Sequence, residues 1–166
     1  MDIVKSTRHQ KIIGNFRESF ICNWLSRSGF EVALIDHTGL DIVAYNPSNK
    51  KRLGITVKSR TRFAGQESSS VNILSNRKNK NDRGKLLDAC KSFACDPWIG
   101  IYVEASTFAD LFLTSLKNYD AKYRRKKNLK IDAWKMTKYD LYRYDKDKNV
   151  MHIIINFSIN NWKPIH

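Results

Sequence analysis

The sequence predicts an α/β domain, on three observations made along the first hundred residues. Apolar residues recur at three- and four-residue steps from about Thr7 to Ser28, as an amphipathic helix requires. Three short β-type runs follow, at Phe30–Ile35, Leu40–Tyr45 and Leu53–Val57. A second helical pattern, from Leu86 to Phe93, then leads into the apolar strand pattern at 98–103. A helix that connects strands in this way is typical of an α/β sheet.

The chain has the size of a single domain. Its 166 residues lie within the usual domain range of roughly 50–250 residues. Three prolines and seven glycines leave little material for a flexible linker, and 42% apolar residues suffice for one core. We therefore expect one domain over 1–166, with a basic and aromatic C-terminal extension from about residue 120.

Three later segments are less regular. The polar stretch from Arg60 to Arg83 predicts a long, mobile excursion with a brief strand at 71–74. A strand at 111–114 and a short helix at 116–123 follow, and 150–157 is a clear strand pattern. The aromatic and basic segment at 133–144 fits either a strand or a helix.

Charge gives the strongest compositional indication of a partner. Thirty Lys and Arg residues stand against sixteen Asp and Glu, for a net charge of +14 and a pI of about 9.8. This balance favours a polyanionic partner such as nucleic acid. The alternative is a basic surface that binds nothing, but the basic residues are clustered.

The cysteines and the N-terminus predict a cytoplasmic protein. Cys22, Cys90 and Cys95 are odd in number and lack CxxC spacing, so neither a disulfide framework nor a thiolate zinc site is indicated. The N-terminus has no apolar stretch of the signal-peptide type. No window approaches the roughly 18 apolar residues of a membrane span, so we expect no membrane partner.

A predicted hairpin brings polar side chains together. We expect Tyr45 to pair with Arg52 across the turn between the second and third β-type runs. Antiparallel pairing then sets Asp41 opposite Thr56, and Lys58 follows two residues further along the same face. Cleavage of a phosphodiester with a metal ion requires oxygen ligands and a positive group beside the phosphate. Asp41 and Lys58 fit these roles, although each alone is also typical of a turn residue or a solvated strand edge.

These residues belong to a longer pattern. It comprises a first helix with Gly14 and Glu18, the pair Gly29-Phe30, the run Thr38-Gly39-Leu40-Asp41-Ile42-Val43-Ala44, and the run Gly54-Ile55-Thr56-Val57-Lys58-Ser59-Arg60. In this order and spacing, residues 12–62 resemble the PD-(D/E)XK nucleases, and within them the Holliday-junction-resolvase-like branch.

The resemblance implies a fold and a site. The fold is a restriction-endonuclease-like three-layer domain with a central mixed β-sheet flanked by helices. Asp41 would be the metal-binding aspartate, Lys58 the catalytic lysine, and Glu18 a carboxylate that the first helix adds. The main-chain carbonyl of Val57 would be a further ligand of Mg²⁺ or Mn²⁺. The implied partner is DNA, branched DNA included, and such nucleases commonly act as homodimers.

One candidate catalytic position departs from the family pattern. The residue two before the lysine is acidic in the family and is Thr56 here. A hydroxyl is a far poorer Mg²⁺ ligand than a carboxylate. Either Asp41 and Glu18 hold the metal alone, or an acid from another element, Glu67 or Asp88, completes the site. His37 is near Asp41 in sequence and is interpreted as a bystander, with a contact to a metal ligand or to phosphate as the alternative.

Basic clusters supply a predicted nucleic-acid surface, because backbone phosphates are their natural partners. The candidate residues are Lys51, Arg52, Arg60, Arg62, Arg77, Lys78, Lys80, Arg124 and Arg125. Tyr139, Tyr142 and Tyr144 alternate with Lys138 and Arg143. These tyrosines either stack on bases or pack as half-buried aromatics.

Three functions are compatible with these observations. The first is a metal-dependent DNA endonuclease that hydrolyses phosphodiester bonds. The second is a catalytically weakened or inactive DNA-binding module of the nuclease fold, in which Thr56 has replaced the usual acid. The third is an RNA-binding protein with an unrelated α/β fold, which the basic C-terminal region favours.

Overall fold

A computed structural model of the chain describes residues 6–63, 65–126 and 128–157. Helices and strands alternate along these residues. In order they are α1 (His9–Arg27), β1 (Glu31–His37), β2 (Leu40–Tyr45), β3 (Arg52–Thr61), β4 (Val71–Arg77), β5 (Lys80–Asn81), α2 (Asp82–Ser92), β6 (Asp96–Glu104), β7 (Phe108–Ser115), α3 (Leu116–Lys122), β8 (Ile131–Trp134), α4 (Lys138–Lys146) and β9 (Val150–Asn156).

The main sheet is mixed. Its strand order is β1-β2-β3-β6-β7-β9, and β3 pairs with β6 in parallel while the other neighbours are antiparallel. A parallel pair needs a crossover of a dozen or more residues, and the chain between β3 and β6, which includes α2, provides it. The register of the hairpin is the one predicted, because Tyr45 pairs with Arg52 and Ile42 with Ile55.

Helices cover the two faces of this sheet and form the three layers. On one face α1 buries Ile13, Ile21 and Leu25 against Ile42 and Ile55. Full burial of one such side chain contributes about 1.5–3 kcal/mol, so this apolar face is sufficient to fix α1 on the sheet. The opposite face carries α2, α3, β8 and α4, whose apolar side chains form a second cluster. The predicted first helix and three strands are confirmed.

The segment after β3 is more ordered than its composition predicts. Val71, Ile73 and Leu74 are buried in the second cluster, and β4 is the central strand of a small sheet with the order β5-β4-β8. The predicted mobile excursion from 60 to 83 is therefore wrong over most of its length. The predicted brief strand at 71–74 is confirmed and extends to Arg77, and its partner, β8, lies some sixty residues later in the sequence.

Residues beyond 120 take part in the same core. Trp134 and Tyr144 are buried, and their rings stack with centroids 4.0 Å apart. Phe112 of β7 contacts both rings, at 5.4 and 5.5 Å between centroids. The region that the sequence suggests as an extension thus supplies aromatic residues to the second cluster.

The three cysteines are free thiols. Burial, together with the neighbouring Cys95 and Asp96, raises the pKa of Cys90 to about 12, so the thiol stays protonated at neutral pH. None of the helices among the described residues is long and apolar enough to cross a membrane.

His152 ties α4 to the sheet and makes the stability pH-dependent. Its Nε2 lies 2.8 Å from Asp110 Oδ1 of β7, and its Nδ1 lies 2.6 Å from Asp145 Oδ1 of α4. Burial alone would lower the pKa of His152, but the hydrogen bonds and charges of the two carboxylates outweigh it and raise the pKa above 6.5. Because two carboxylates flank the ring, its doubly protonated form can donate to both.

We expect the free energy of unfolding to fall as the pH rises above about 6.5. A folded-state pKa above the unfolded value gives stability that is complete below the unfolded pKa and is lost as the pH passes the folded pKa. Urea unfolding at several pH values from about 6 to about 8.5 measures this loss. The variant His152→Gln should have a flatter profile over this range. Equal slopes for variant and wild type would contradict the assignment.

Candidate functional site

The start of β2 is set by a close approach of α2. Gly39 precedes the strand with φ +99°, a conformation that favours glycine. A Cβ atom at this position would lie 2.5 Å from the carbonyl oxygen of Lys85 in α2. A side chain there would push β2 and α2 apart, so Gly39 fixes where the next residues, including Asp41, enter the sheet.

Asp41 lies where β2 and β3 separate. The last paired residues of the hairpin are Ile42 and Ile55, and beyond them the Asp41 carboxylate takes over the strand's hydrogen bonds. Its Oδ2 accepts from the Val57 N–H at 2.5 Å and from the Thr56 hydroxyl at 3.2 Å. The predicted meeting of Asp41 with Thr56 is therefore observed. Because the Thr56 hydroxyl donates its proton to Asp41, it helps to hold the Asp41 carboxylate in place.

Glu18 reaches this end of the hairpin from α1. Burial raises the pKa of Glu18, the charge of Asp41 raises it further, and Arg17 partly opposes both effects. Two carboxylates that repel each other in a half-buried position form an arrangement that a cation would stabilise. Asp41 and Glu18, which are 23 positions apart in the sequence, are thus brought together.

Lys58 lies on the opposite face of β3 from α1. Its side chain is half-buried and, among the described residues, makes no hydrogen bond or ion pair. It lines a groove of about 710 Å³, named here the Lys58 groove. The groove is also lined by Arg77, Lys78, Lys80, Asp82 and Ile131. Lys58 and a basic cluster about twenty residues later in the sequence therefore line one surface.

Arg17 is a residue that the sequence analysis missed. Its Nη1 donates to Ser59 Oγ at 3.1 Å, its Nη2 contacts Glu18 Oε1 at 3.3 Å, and its Nε is buried without a partner among the described residues. With Ser59 and Arg60 it lines a second groove, of about 550 Å³, on the α1 side of β3. The available signal was its position on the helix, because Arg17 is a charged residue four positions from both Ile13 and Ile21 and so lies on the apolar face of α1.

The two candidate acids from other elements lie elsewhere. Glu67 accepts from the N–H of Gly65 in its own loop. Asp88 is exposed on α2, on the side away from the buried Ala89 and Cys90. His37 is exposed, and its ring contacts Phe93 at 5.3 Å between centroids. No contact joins these three side chains to Asp41, so none of them adds to the observed arrangement.

Some of the predicted phosphate-binding residues are committed to other contacts. Arg62 is 5% exposed and donates to the carbonyl of Ser69. Arg124 donates to the fully buried Asp132 at 2.8 Å. These contacts hold loops in place and leave both guanidinium groups little surface for phosphate, which is a correction to the sequence analysis.

Others are exposed but differ in position. Lys51 and Arg52 lie at the turn end of the hairpin, about 20 Å along β3 from Lys58. Arg60 is exposed beside Arg17, and Arg125 lines a third pocket near α4. Arg77, Lys78 and Lys80 are exposed in the Lys58 groove and remain candidates for phosphate contacts.

The oxygen atoms present fit a divalent cation in part. Mg²⁺ is usually bound by one or two carboxylates together with water and substrate phosphates. Asp41 and Glu18 provide two carboxylates. The Val57 N–H points at Asp41, and in a strand the carbonyl of the same residue faces the same edge. This carbonyl oxygen could therefore be a third ligand of the cation. Among the described residues, no group of three or more His, Cys, Asp or Glu is arranged for metal binding.

Comparison with known proteins identifies the fold. No protein-family model and no curated protein sequence matches the chain. The structure is similar to that of Hjc, a Holliday junction resolvase from the archaeal hyperthermophile Archaeoglobus fulgidus, with a TM-score of 0.53 and 16% sequence identity. The match covers 77% of this chain and 88% of the resolvase.

The chain therefore has a fold similar to that of the Holliday junction resolvase. This finding confirms the predicted three-layer architecture with a mixed central sheet flanked by helices. It also excludes the unrelated α/β fold on which the RNA-binding hypothesis depended. At 16% identity the likeness concerns the fold alone.

Proposed function

We propose that the protein is a metal-dependent DNA endonuclease whose site consists of Asp41, Glu18 and Lys58. The observation that carries the proposal is the pair of mutually repelling carboxylates, Glu18 and Asp41, with Asp41 bound to Thr56 and Val57 of β3, the strand whose Lys58 lines a basic groove. The groove supplies contacts to the phosphate backbone, and the carboxylates supply ligands for a cation. The site of a phosphodiesterase needs both.

Each residue has a distinct role in this proposal. Asp41, Glu18 and the carbonyl of Val57 would hold Mg²⁺ or Mn²⁺, which supplies Lewis acidity at the phosphate. The Val57 N–H and the Thr56 hydroxyl fix the orientation of the Asp41 carboxylate. Lys58 places a positive charge in the groove, where it neutralises charge that develops on the phosphate oxygens. Arg77, Lys78 and Lys80 bind flanking phosphates.

Branched DNA is the substrate to test first, because the similar solved structure is that of a Holliday junction resolvase. The homodimer and the cytoplasmic location remain predictions. A dimer with two such sites would cut two strands of a junction.

The test is cleavage of supercoiled plasmid and of a four-way junction with Mg²⁺, with Mn²⁺ and with a chelator. We expect nicks or cuts only with a cation, and a loss of at least about 100-fold in the variant Asp41→Asn. The matched variant Asp36→Asn changes an exposed carboxylate of β1 and should cleave like wild type. Cleavage that persists in Asp41→Asn or in the presence of chelator would contradict the proposed site.

A second candidate is a DNA-binding module without cleavage. It is favoured by Thr56, which is buried at the position of the family's acid and donates its proton to Asp41. Such a protein would bind DNA through the Lys58 groove and lack the third carboxylate that strengthens cation binding.

The variant Thr56→Glu separates the two candidates. If the site has lost activity through this position, the new carboxylate beside Asp41 should produce cation-dependent cleavage that wild type lacks. If the wild type already cleaves, the added charge at a buried position should give no gain. Thr56→Gln has similar size without charge and serves as the control. Absence of cleavage in wild type and in Thr56→Glu, with DNA binding retained, would leave the binding module.

A further inference from the structure

One face of α4 carries exposed tyrosines together with basic residues. Tyr139 and Tyr142 are 70% and 62% exposed. Residues three, four and seven positions apart lie on the same side of a helix, so Arg143 and Lys146 share this side with them. These four residues are named here the tyrosine face. Tyr144 points the other way, into the core, and its hydroxyl donates to the carbonyl of Lys135.

Cations hold the rings of this face. The guanidinium carbon of Arg143 lies 5.8 Å from the ring centre of Tyr139 and 5.2 Å from that of Tyr123, and its Nη2 donates to the Lys122 carbonyl at 2.9 Å. Lys146 Nζ lies 5.6 Å from the ring centre of Tyr142. Each exposed tyrosine is therefore oriented by a cation, while most of its surface remains in water.

A basic pocket adjoins the tyrosine face. Its volume is about 300 Å³, and its walls include Lys122, Tyr123, Arg125, Lys135, Tyr139 and Arg143. The acidic wall residue, Asp140, is largely buried and accepts from the Thr137 hydroxyl at 2.5 Å. Arg125 and Lys135 make no ion pair with any other described side chain. Both are therefore available to phosphate groups.

Strand β8 connects this pocket to the Lys58 groove. Ile131 lines the groove, and Ala133 and Lys135 line the pocket. Side chains alternate along a strand, and the intervening Asp132 and Trp134 are buried, so the three lining residues share the outer face. The distance from Ile131 to Lys135 is about 13 Å along the chain.

We propose that the tyrosine face and its pocket bind a single-stranded segment of the DNA that occupies the Lys58 groove. Bases stack on Tyr139 and Tyr142, and Arg125 and Lys135 contact the phosphates between them. This inference rests on the proposed function, because it takes the groove as the place where the duplex part of the substrate lies.

The occupant is a single strand because stacking needs the flat surface of an unpaired base. Duplex DNA encloses these surfaces and presents phosphates, which the lysines and arginines alone would satisfy. An acidic protein segment would fit the charge but would leave the exposed tyrosine rings without planar partners. The combination of open rings and free cations therefore favours a single strand.

The test is the affinity for fluorescent dT15 and for a blunt duplex of similar length, measured by anisotropy. In Tyr139→Ala/Tyr142→Ala we expect affinity for dT15 to fall by about tenfold for each tyrosine, with duplex affinity within about twofold. Tyr139→Phe/Tyr142→Phe keeps the rings and should bind dT15 like wild type. Lys58→Ala/Arg77→Ala should weaken duplex binding more than binding of dT15.

Three results would overturn the inference while leaving the proposed function intact. They are unchanged dT15 affinity in the alanine variant, equal losses for dT15 and duplex, and displacement of dT15 by polyglutamate as effectively as by unlabelled dT15. If wild type binds neither DNA, the proposed function fails, and the inference fails with it. The altered tyrosines are exposed, so the variants should fold, and circular dichroism of each variant checks this.

Discussion

Replacement of Lys58 by alanine is expected to lower the rate of cation-dependent DNA cleavage by about 10²–10³-fold. The side chain is half-buried in the groove and has no partner among the described residues, so its charge is available to the phosphate. A charge of this kind stabilises the transition state more than it stabilises bound DNA. Affinity for duplex DNA should therefore fall by less than tenfold, because Arg77, Lys78 and Lys80 remain.

Single-turnover cleavage at saturating protein, together with a binding titration against salt, separates these two effects. Lys91→Ala removes the same charge from an exposed position in the last turn of α2 and should match wild type in both measurements. Equal losses of affinity and rate in Lys58→Ala would make Lys58 a binding residue only. A rate within about threefold of wild type would remove it from the proposed mechanism.

Replacement of Asp132 by asparagine is expected to lower the free energy of unfolding by about 3–5 kcal/mol. The carboxylate of Asp132 is fully buried and accepts from Arg83 Nη1 at 2.9 Å, Arg124 Nε at 2.8 Å and Asn76 Nδ2 at 3.1 Å. Removing its charge leaves two guanidinium groups, each 13–14% exposed, without their shared carboxylate. Breaking a buried ion pair from one side costs far more than losing an exposed pair.

Urea unfolding of Asp132→Asn beside the exposed-site variant Asp36→Asn measures this cost. The control should lie within about 0.5 kcal/mol of wild type. A loss below about 1 kcal/mol in Asp132→Asn would contradict the inference that Asp132 of β8 holds β4, α2 and the segment after α3 together. The same result would return Arg124 to the set of residues free to bind phosphate.

The sequence was sufficient to predict contacts between residues that are close in the chain or joined by a short turn. Asp41 and Thr56 are joined by a hairpin with a short, turn-rich connection, so the pairing of Tyr45 with Arg52 determined their meeting. Arg124 and Arg62 could not be interpreted in this way. A buried arginine and a phosphate-binding one look alike in sequence, and the partners, Asp132 and the Ser69 carbonyl, become visible only when loops and strands are packed.

Other features of the fold and of the candidate site depend on residues that are distant in sequence. Strand β4 was predicted only as a brief strand at 71–74, and its length and its place in a sheet depend on pairing with β8. The closeness of Glu18 to Asp41 requires α1 to cross the sheet at one particular angle, which periodicity does not specify. The resemblance to the nucleases suggested this meeting, and burial of the side chains on one face of α1 explains it.

The central claim is that Asp41 and Glu18 hold a divalent cation beside Lys58, and titration of Mn²⁺ read by the spin resonance of the free ion tests it most directly. In the presence of an uncleavable junction, wild type should bind Mn²⁺ at least tenfold more tightly than Asp41→Asn or Glu18→Gln, while Asp36→Asn behaves like wild type. Equal Mn²⁺ affinity in Asp41→Asn and wild type, or no binding by wild type with the junction present, would contradict the claim.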